Sequence, residues 1–433
     1  MRIISGAMRV AFFLILGKLA GAIKEMAIAN RYGVSDVVDA YQFTQSMANW
    51  LPTTIVGAFS IVLIPVLVKL RHLSREEKKQ FLAELQAWIL LIGGIITLAT
   101  WYFWPQVIGN MAGKLSIAAK QYSQEMITVF APVGLLILVI GLHMARLRAL
   151  ERHINNLLDS FPALFIFVFI LILPGDTSVW PILLGVGIGY ILQTVALSYM
   201  ANKAEGERWI LPRLSLHSAH WKDLLQAAGF MLIGQIALSF VAPMDQMFAA
   251  QIGNNANATM GYASRLISVV IGIGAASVGR AALPVLADVQ HRGEAQKAKK
   301  IALKWSLAMV GLGLLALVIA WFVAPFAVKL VFEHGAFTAQ DTVNVAQAMR
   351  FGLMQIPFYF GVLILVQLLA SQNRYKLMAV IALANFAVKF LMNYFLASRY
   401  GVPGIMSATA LMYMFSFLCY FVIAWRLPVK QDV

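Results

Sequence analysis

The chain has 433 residues, 61% of them hydrophobic and only 12% charged. A water-soluble domain carries about 25% charged residues, so a soluble globular protein is excluded. The formal net charge of +15 leaves nucleic acid open as a partner until the charges are placed along the chain.

Apolar runs of roughly 20 residues recur from end to end. They are continuous rather than alternating, which excludes an outer-membrane barrel and predicts helical spans. Twelve spans are read in chain order: roughly 8–30, 40–68, 84–107, 124–146, 156–173, 180–201, 224–249, 259–287, 302–331, 344–370, 376–397 and 403–425. The opening "MRIISGAMRVAFFLILGK" lacks a small-residue cleavage site and runs into the first span, so it is read as part of it.

That first span continues as "GKLAGAIKEMAIANRYG", with Lys18, Lys24 and Glu25 where a span should be apolar. On a helix Lys18, Gly21, Ala22 and Glu25 share one face. Gly17 and Gly21 form a G-x-x-x-G that permits close helix approach, and Lys24 lies beside it. A charge turned to lipid costs several kcal/mol, so these charges are expected to face protein or a cavity. Two readings stay open: a structural Lys18–Glu25 ion pair, or a cationic patch lining a cleft. Asp39 opens the second span, and Asp245, Arg265, Arg280 and Lys389 fall in later ones. Cations outnumber anions in this set, which suits an anionic substrate better than an organic cation.

The basic clusters fall on alternate loops: "KLRHLSREEKK", "RLRALER", 203–222, "HRGEAQKAKK", "NRYK" and the C-terminal tail. By the positive-inside rule that side is cytoplasmic, both termini included, and the loop Glu333–Asp341 is outside. The +15 then reflects topology and contact with anionic lipids, and no nucleic-acid partner is expected.

The chain also repeats itself. Pro65-Val66-Leu67, His72 and Lys78 match Pro284-Val285-Leu286, His291 and Lys297 at one offset. "YGVSDVVDAY" loosely matches "IGNNANATMGY", and "LILV" recurs a few residues after Pro132 and Pro357. Spans six apart keep their orientation, so these are parallel repeats. The expected fold is an all-α membrane protein of two six-helix lobes, 1–205 and 223–433, joined by a cytoplasmic linker at 206–222, around a central cationic cavity. This is a transporter architecture. The single cysteine, Cys419, allows no disulfide within the chain, the seven histidines lack ligand spacing, and no phosphate-binding G-x-x-x-x-G-K-[ST] motif occurs. No cofactor and no enzymatic activity are expected. A membrane glycosyltransferase or polymerase would need a sizeable extramembrane loop with clustered titratable groups.

The charged first span, "DVVDAY" with Asp39, "VGAFSIVLIPVL", "YASRL" with Arg265, "FEHGAFTAQD" and "GVPGIMSATALMY" together resemble the MviN/MurJ-type lipid II flippase family of the multidrug/oligosaccharidyl-lipid/polysaccharide exporter superfamily. The resemblance implies translocation of an undecaprenyl-pyrophosphate-linked saccharide from the inner to the outer leaflet of the bacterial inner membrane by alternating access. It implies pyrophosphate binding at Lys18, Lys24 and Arg265, with Glu25 and Asp39 in the same site, and contacts with glycosyltransferases or a polymerase of the pathway. Two departures bear on the sugar. "LPTTIV" is uncharged where lipid II flippases place a basic pair and an acid, and twelve spans are read where they carry two more. An exopolysaccharide or O-antigen unit therefore stands beside lipid II as the expected head group. The alternative within the superfamily is a cation-coupled multidrug antiporter.

The resemblance also implies a sodium site on the seventh, eleventh and twelfth spans, built from an aspartate and an Asn/Asp pair four residues apart. Here Asp245 and Asn385 are present, but Lys389 stands at the last position. An ammonium cannot ligate a cation. The expectation is a Lys389–Asp245 salt bridge, no sodium there, and driving by protons or the membrane potential.

Overall fold

The computed structural model describes residues 2–70, 74–150, 158–175, 178–206, 210–218, 220–222, 224–225, 235–236, 239–291, 294–372 and 374–426. Of residues 2–16, 273–287, 290, 291 and 295 it describes the backbone alone, so the Arg280 side chain lies outside it. Among the described residues there is no strand.

Among the described residues the main helices are α1 Arg2–Tyr32, α2 Asp36–Lys69, α3 Arg75–Met111, α4 Ile117–Ala149, α5 Phe161–Ile172, α6 Trp180–Glu205, α7 Val241–Ile252, α8 Ala256–His291, α9 Ala295–Phe332, α10 Ala339–Leu353, α11 Ile356–Ser371 and α12 Tyr375–Arg426. Among the described residues, seven helical segments are long and apolar enough to cross a membrane. One is α12, whose 52 residues would extend about 78 Å at 1.5 Å per residue, enough for two crossings. It breaks at Gly401 (φ 62°, ψ −140°), two residues before Pro403, and so supplies the last two expected spans. α10 and α11 together form the expected span at 344–370, interrupted just before Pro357. α5 is shorter than the span expected at 156–173, and 226–234 of the expected seventh span lie outside the described residues.

Local sequence sets the helix ends. Ser74 and Glu77 close a capping box on α3, and Thr338 and Asp341 close the one expected ahead of α10. Arg31 ends α5 by donating to the carbonyls of Ile170 (2.7 Å), Leu173 (2.7 Å) and Gly175 (2.5 Å), oxygens that have no partner within the helix.

The chain divides into two compact units, Met1–Pro243 and Met244–Val433. In the first, α2, α3 and α6 pack on α4, α1 packs on α5, and α5 on α6. In the second, α8, α9 and α12 pack on the α10–α11 span. α7 meets α12 through Phe248 and Phe390, with ring centroids 5.9 Å apart. The two neighbour schemes correspond span for span, which is the repeat read in the sequence. The same tight turn follows the first span of each unit. Gly33 (φ 57°) and Gly253 (φ 75°) adopt the left-handed region that a side chain would strain. Each glycine amide closes on the carbonyl four residues back, Ala29 and Ala249.

Residues 210–218, placed in the linker on sequence, run along α3 within the first unit. Ile210, Trp221 and Leu224 are buried with Leu63, Leu67, Phe81 and Leu142 in one apolar cluster.

Close helix contacts rest on glycine. A Cβ at Gly189 would lie 2.5 Å from the Pro162 Cα, so α5 and α6 meet backbone to backbone there. Gly189→Leu is predicted to cost about 1–3 kcal/mol by overpacking. Thermal unfolding of detergent-purified protein, followed by size-exclusion profile, should show a lowered midpoint. Gly94→Ala, with nothing within 4 Å of the added carbon, should leave it unchanged.

Candidate functional site

Of Lys18, Lys24 and Glu25 on α1, two turn inward. Lys24 is 7% exposed and Glu25 4%. The Lys24 ammonium lies 2.8 Å from Glu25 Oε1 and donates to the Tyr41 hydroxyl of α2 at 3.2 Å. Glu25 therefore pairs with its neighbour Lys24, not with Lys18. Lys18 is exposed. The two lysines stand six positions apart, so they leave the helix about 120° from one another. Asp39 is buried in the first turn of α2, where the helix N-terminus favours an anion. Arg265, on α8 in the second unit, is exposed, while Tyr262 three residues earlier is buried against Phe332 and Phe337.

The second unit holds the most completely built charged site among the described residues. Lys389, on the first arm of α12, has 0% side-chain exposure, and its ammonium lies 2.9 Å from Asp245 Oδ1 of α7. It also donates to the Ile405 carbonyl at 3.0 Å and to Thr409 Oγ1 at 2.6 Å, both on the second arm of α12. An ammonium has three protons, and here each has an oxygen. Asn393, one turn after Lys389, donates to the same Asp245 oxygen at 2.7 Å. Asn385, one turn before, instead donates to Ser416 Oγ at 3.0 Å. The arrangement is an oxygen cage contributed by α7 and the second arm of α12, with a cation tethered to the first arm at its centre. The break at Gly401 is what lets one helix supply both the lysine and the oxygens that receive it.

Sequence reasoning singled out Asp245, Lys389 and Asn385 but missed Asn393, Thr409 and the Ile405 carbonyl. Asn385, Lys389 and Asn393 recur at every fourth position, and that polar stripe was the available signal. It also missed a buried network in the first unit. Arg146 on α4 is 1% exposed. It donates to Asn202 Oδ1 (2.8 Å) and Glu205 Oε2 (2.6 Å) of α6 and contacts His143 Nδ1 (2.9 Å), while Lys78 of α3 lies 3.5 Å from Glu205. Read as loop residues, Arg146 and Glu205 carried no signal of pairing. Their network ties the ends of α3, α4 and α6 together.

Breaking a buried pair costs about 3–5 kcal/mol, because one charge is left uncompensated. Asp245→Asn and Lys389→Met should therefore each lower thermal stability in detergent. The double substitution should recover part of the loss. Additive losses would mean that the pair is not coupled.

The comparisons with known proteins agree in direction. The family model described as "Lipid II flippase MurJ" matches residues 28–432. A probable lipid II flippase MurJ of Bdellovibrio bacteriovorus is 26% identical over 54% of this chain and 43% of that protein. The lipid II flippase MurJ of Burkholderia cenocepacia is 23% identical over 94% of this chain and 80% of its own. Among solved structures, "Lipid II flippase MurJ, inward closed conformation" superposes with a TM-score of 0.81 at 19% identity, covering 98% of this chain and 89% of that one. An inward-facing multidrug MATE-family transporter of the MOP superfamily gives 0.68 at 12% identity, covering 95% and 94%. The helix order, the repeated units and a family match over most of the chain make this multi-pass membrane protein a member of the lipid II flippase MurJ family.

Proposed function

We propose that the protein is a flippase for an undecaprenyl-pyrophosphate-linked saccharide, carrying the head group from the inner to the outer leaflet by alternating access. The observation that carries the reading is family membership over residues 28–432, joined to exposed basic residues on α1 and α8. Transport runs by alternating access around a cationic site, and both termini lie in the cytoplasm. Lys18 and Arg265, both exposed, make the first contact with the pyrophosphate. Lys24 joins by turning from Glu25 to a phosphate oxygen, one charge-assisted bond replacing another. Asp39 and Glu25 complete the polar wall. Lysine grips phosphate as a point charge rather than through a bidentate fork, so several lysines acting together suit the site better than one. The head group is lipid II or a polysaccharide repeat unit on the same carrier. Negative charge moving outward is favoured by an inside-negative potential by about 2.3 kcal/mol per charge per 100 mV. No bond is made or broken in the substrate, so the protein acts as a transporter and not as an enzyme.

Purified protein in liposomes with labelled lipid-linked sugar tests this directly. Lys18→Ala and Arg265→Ala should each reduce flipping at least tenfold while leaving the yield of folded protein unchanged; Lys24→Ala should reduce flipping as much and also lower stability, because buried Glu25 loses its partner. Transport of organic cations in place of lipid-linked sugar would select the antiporter reading.

The Lys389 cage bears on coupling. Its ammonium stands at the centre of the oxygens and would repel a metal cation, so sodium is not the coupling ion at this site; protons or the membrane potential drive transport. Flipping at fixed potential and pH should be insensitive to replacing sodium with choline. Lys389→Asp should turn the cage into an all-oxygen site. That variant is expected to gain thermal stability with added sodium chloride and not with choline chloride, and a sodium-dependent native protein would defeat the coupling reading.

A further inference from the structure

Residues 210–218 form a non-helical strap bonded to α3. The Arg213 amide donates to the Ala83 carbonyl at 3.0 Å, and the Trp88 indole donates to the Ser215 carbonyl at 3.0 Å. Glu84, fully buried between them, accepts from Ser215 Oγ (2.8 Å), the Ser218 amide (3.3 Å) and the Trp221 indole (2.7 Å). Along α3, Ala83 and Trp104 are 21 positions apart, about 32 Å at 1.5 Å per residue, which matches the thickness of a hydrocarbon core. Between them α3 exposes Leu91, Ile95 and Leu98, and near the far end Trp101 and Tyr102. A layer of that thickness ending at Trp104 begins near Ala83 and puts Trp88 more than one helical turn inside it. The strap spans the same levels.

Its outward side is apolar. Leu211 is 80% exposed, Leu214 63% and Leu216 53%, with the exposed cations Arg213 and Lys222 on the same stretch. Three bare leucines beside cations are unfavourable in water but fit a leaflet boundary, where leucine enters the acyl region and basic groups reach anionic phosphates. Irregular backbone at this depth needs internal partners, and the Arg213 amide, the Ser215 carbonyl and the Ser218 amide all have them.

We propose that residues 211–216 are immersed in the leaflet on the basic-loop side, with Leu211, Leu214 and Leu216 among the acyl chains, Arg213 and Lys222 on anionic head groups, and Glu84 as the anchor. The occupant of this surface is the lipid bilayer itself.

The single native cysteine makes the test direct. In a Cys419→Ser background, Leu214→Cys carries a nitroxide, and the protein is placed in nanodiscs containing phosphatidylglycerol. Collision with oxygen, which partitions into lipid, is compared with collision with a water-soluble nickel chelate. Labels at Leu98 and Lys297 supply the lipid and water references. The expected oxygen-to-nickel ratio at 214 resembles that at 98 and exceeds that at 297 several-fold. A ratio like that at 297 would overturn the proposal by placing the strap in water. Low accessibility to both would overturn it too, by placing a protein partner on the leucines. Leu216→Cys serves as a second reporter should the first variant fold poorly. Glu84→Leu is expected to move the 214 label toward the value at 297, and an unchanged ratio would remove Glu84 from its role as anchor.

Discussion

The hydrocarbon layer does not tolerate an unmatched charge, and this constraint organises the polar anatomy of the molecule. Lys389 meets it with one oxygen per proton. Lys24 meets it with the carboxylate next to it and a tyrosine hydroxyl across the helix pair. Arg146 meets it with Glu205, Asn202 and His143, Glu84 with neutral donors from a neighbouring strap, and Arg31 with the bare carbonyls at the end of α5. In every case the matching group comes from another helix, a loop or the neighbouring residue. Each solution therefore fixes tertiary geometry as well as charge.

The two units share a scaffold and differ in where they place compensation. Glu25 and Asp245 each stand eight positions before the left-handed glycine of their unit, Gly33 and Gly253. In the first unit the acid is answered within its own helix, by Lys24. In the second it is answered by Lys389 on the first arm of α12. The Lys24–Glu25 pair lies within α1, and the same ammonium reaches across to the Tyr41 hydroxyl of α2. A pair that bridges α7 and α12 ties three span segments into one body.

Membership in the lipid II flippase MurJ family agrees with this anatomy without dictating it. The helix order and repeat follow the family. The ammonium in the oxygen cage is a feature of this chain's own residues, since one lysine at 389 decides whether the cage can accept a mobile cation. Lysine is suited to the position because its flexible stem lets a point charge settle among three oxygens set by other elements.

The sequence by itself determined the class, the span order and the repeat, because apolar run length, loop charge and local motifs are properties of short stretches. The capping box at Thr338 and Asp341 and the Lys389–Asp245 pair were legible for related reasons: one is local, and the other follows from the cost of leaving two intramembrane charges alone. What the sequence left open needed partners distant in the chain. Two readings of α1 were possible until packing buried Lys24 and Glu25 together and left Lys18 outside, because helical periodicity gives a face but not what the face meets. Asn393 and Thr409 looked like ordinary polar residues of a span until the Gly401 break folded the two arms of α12 around one ammonium. Glu84 is covered by residues 210–218 and Trp221, which lie far along the chain from it. A buried polar group is defined by what covers it, and cover is a property of the tertiary structure.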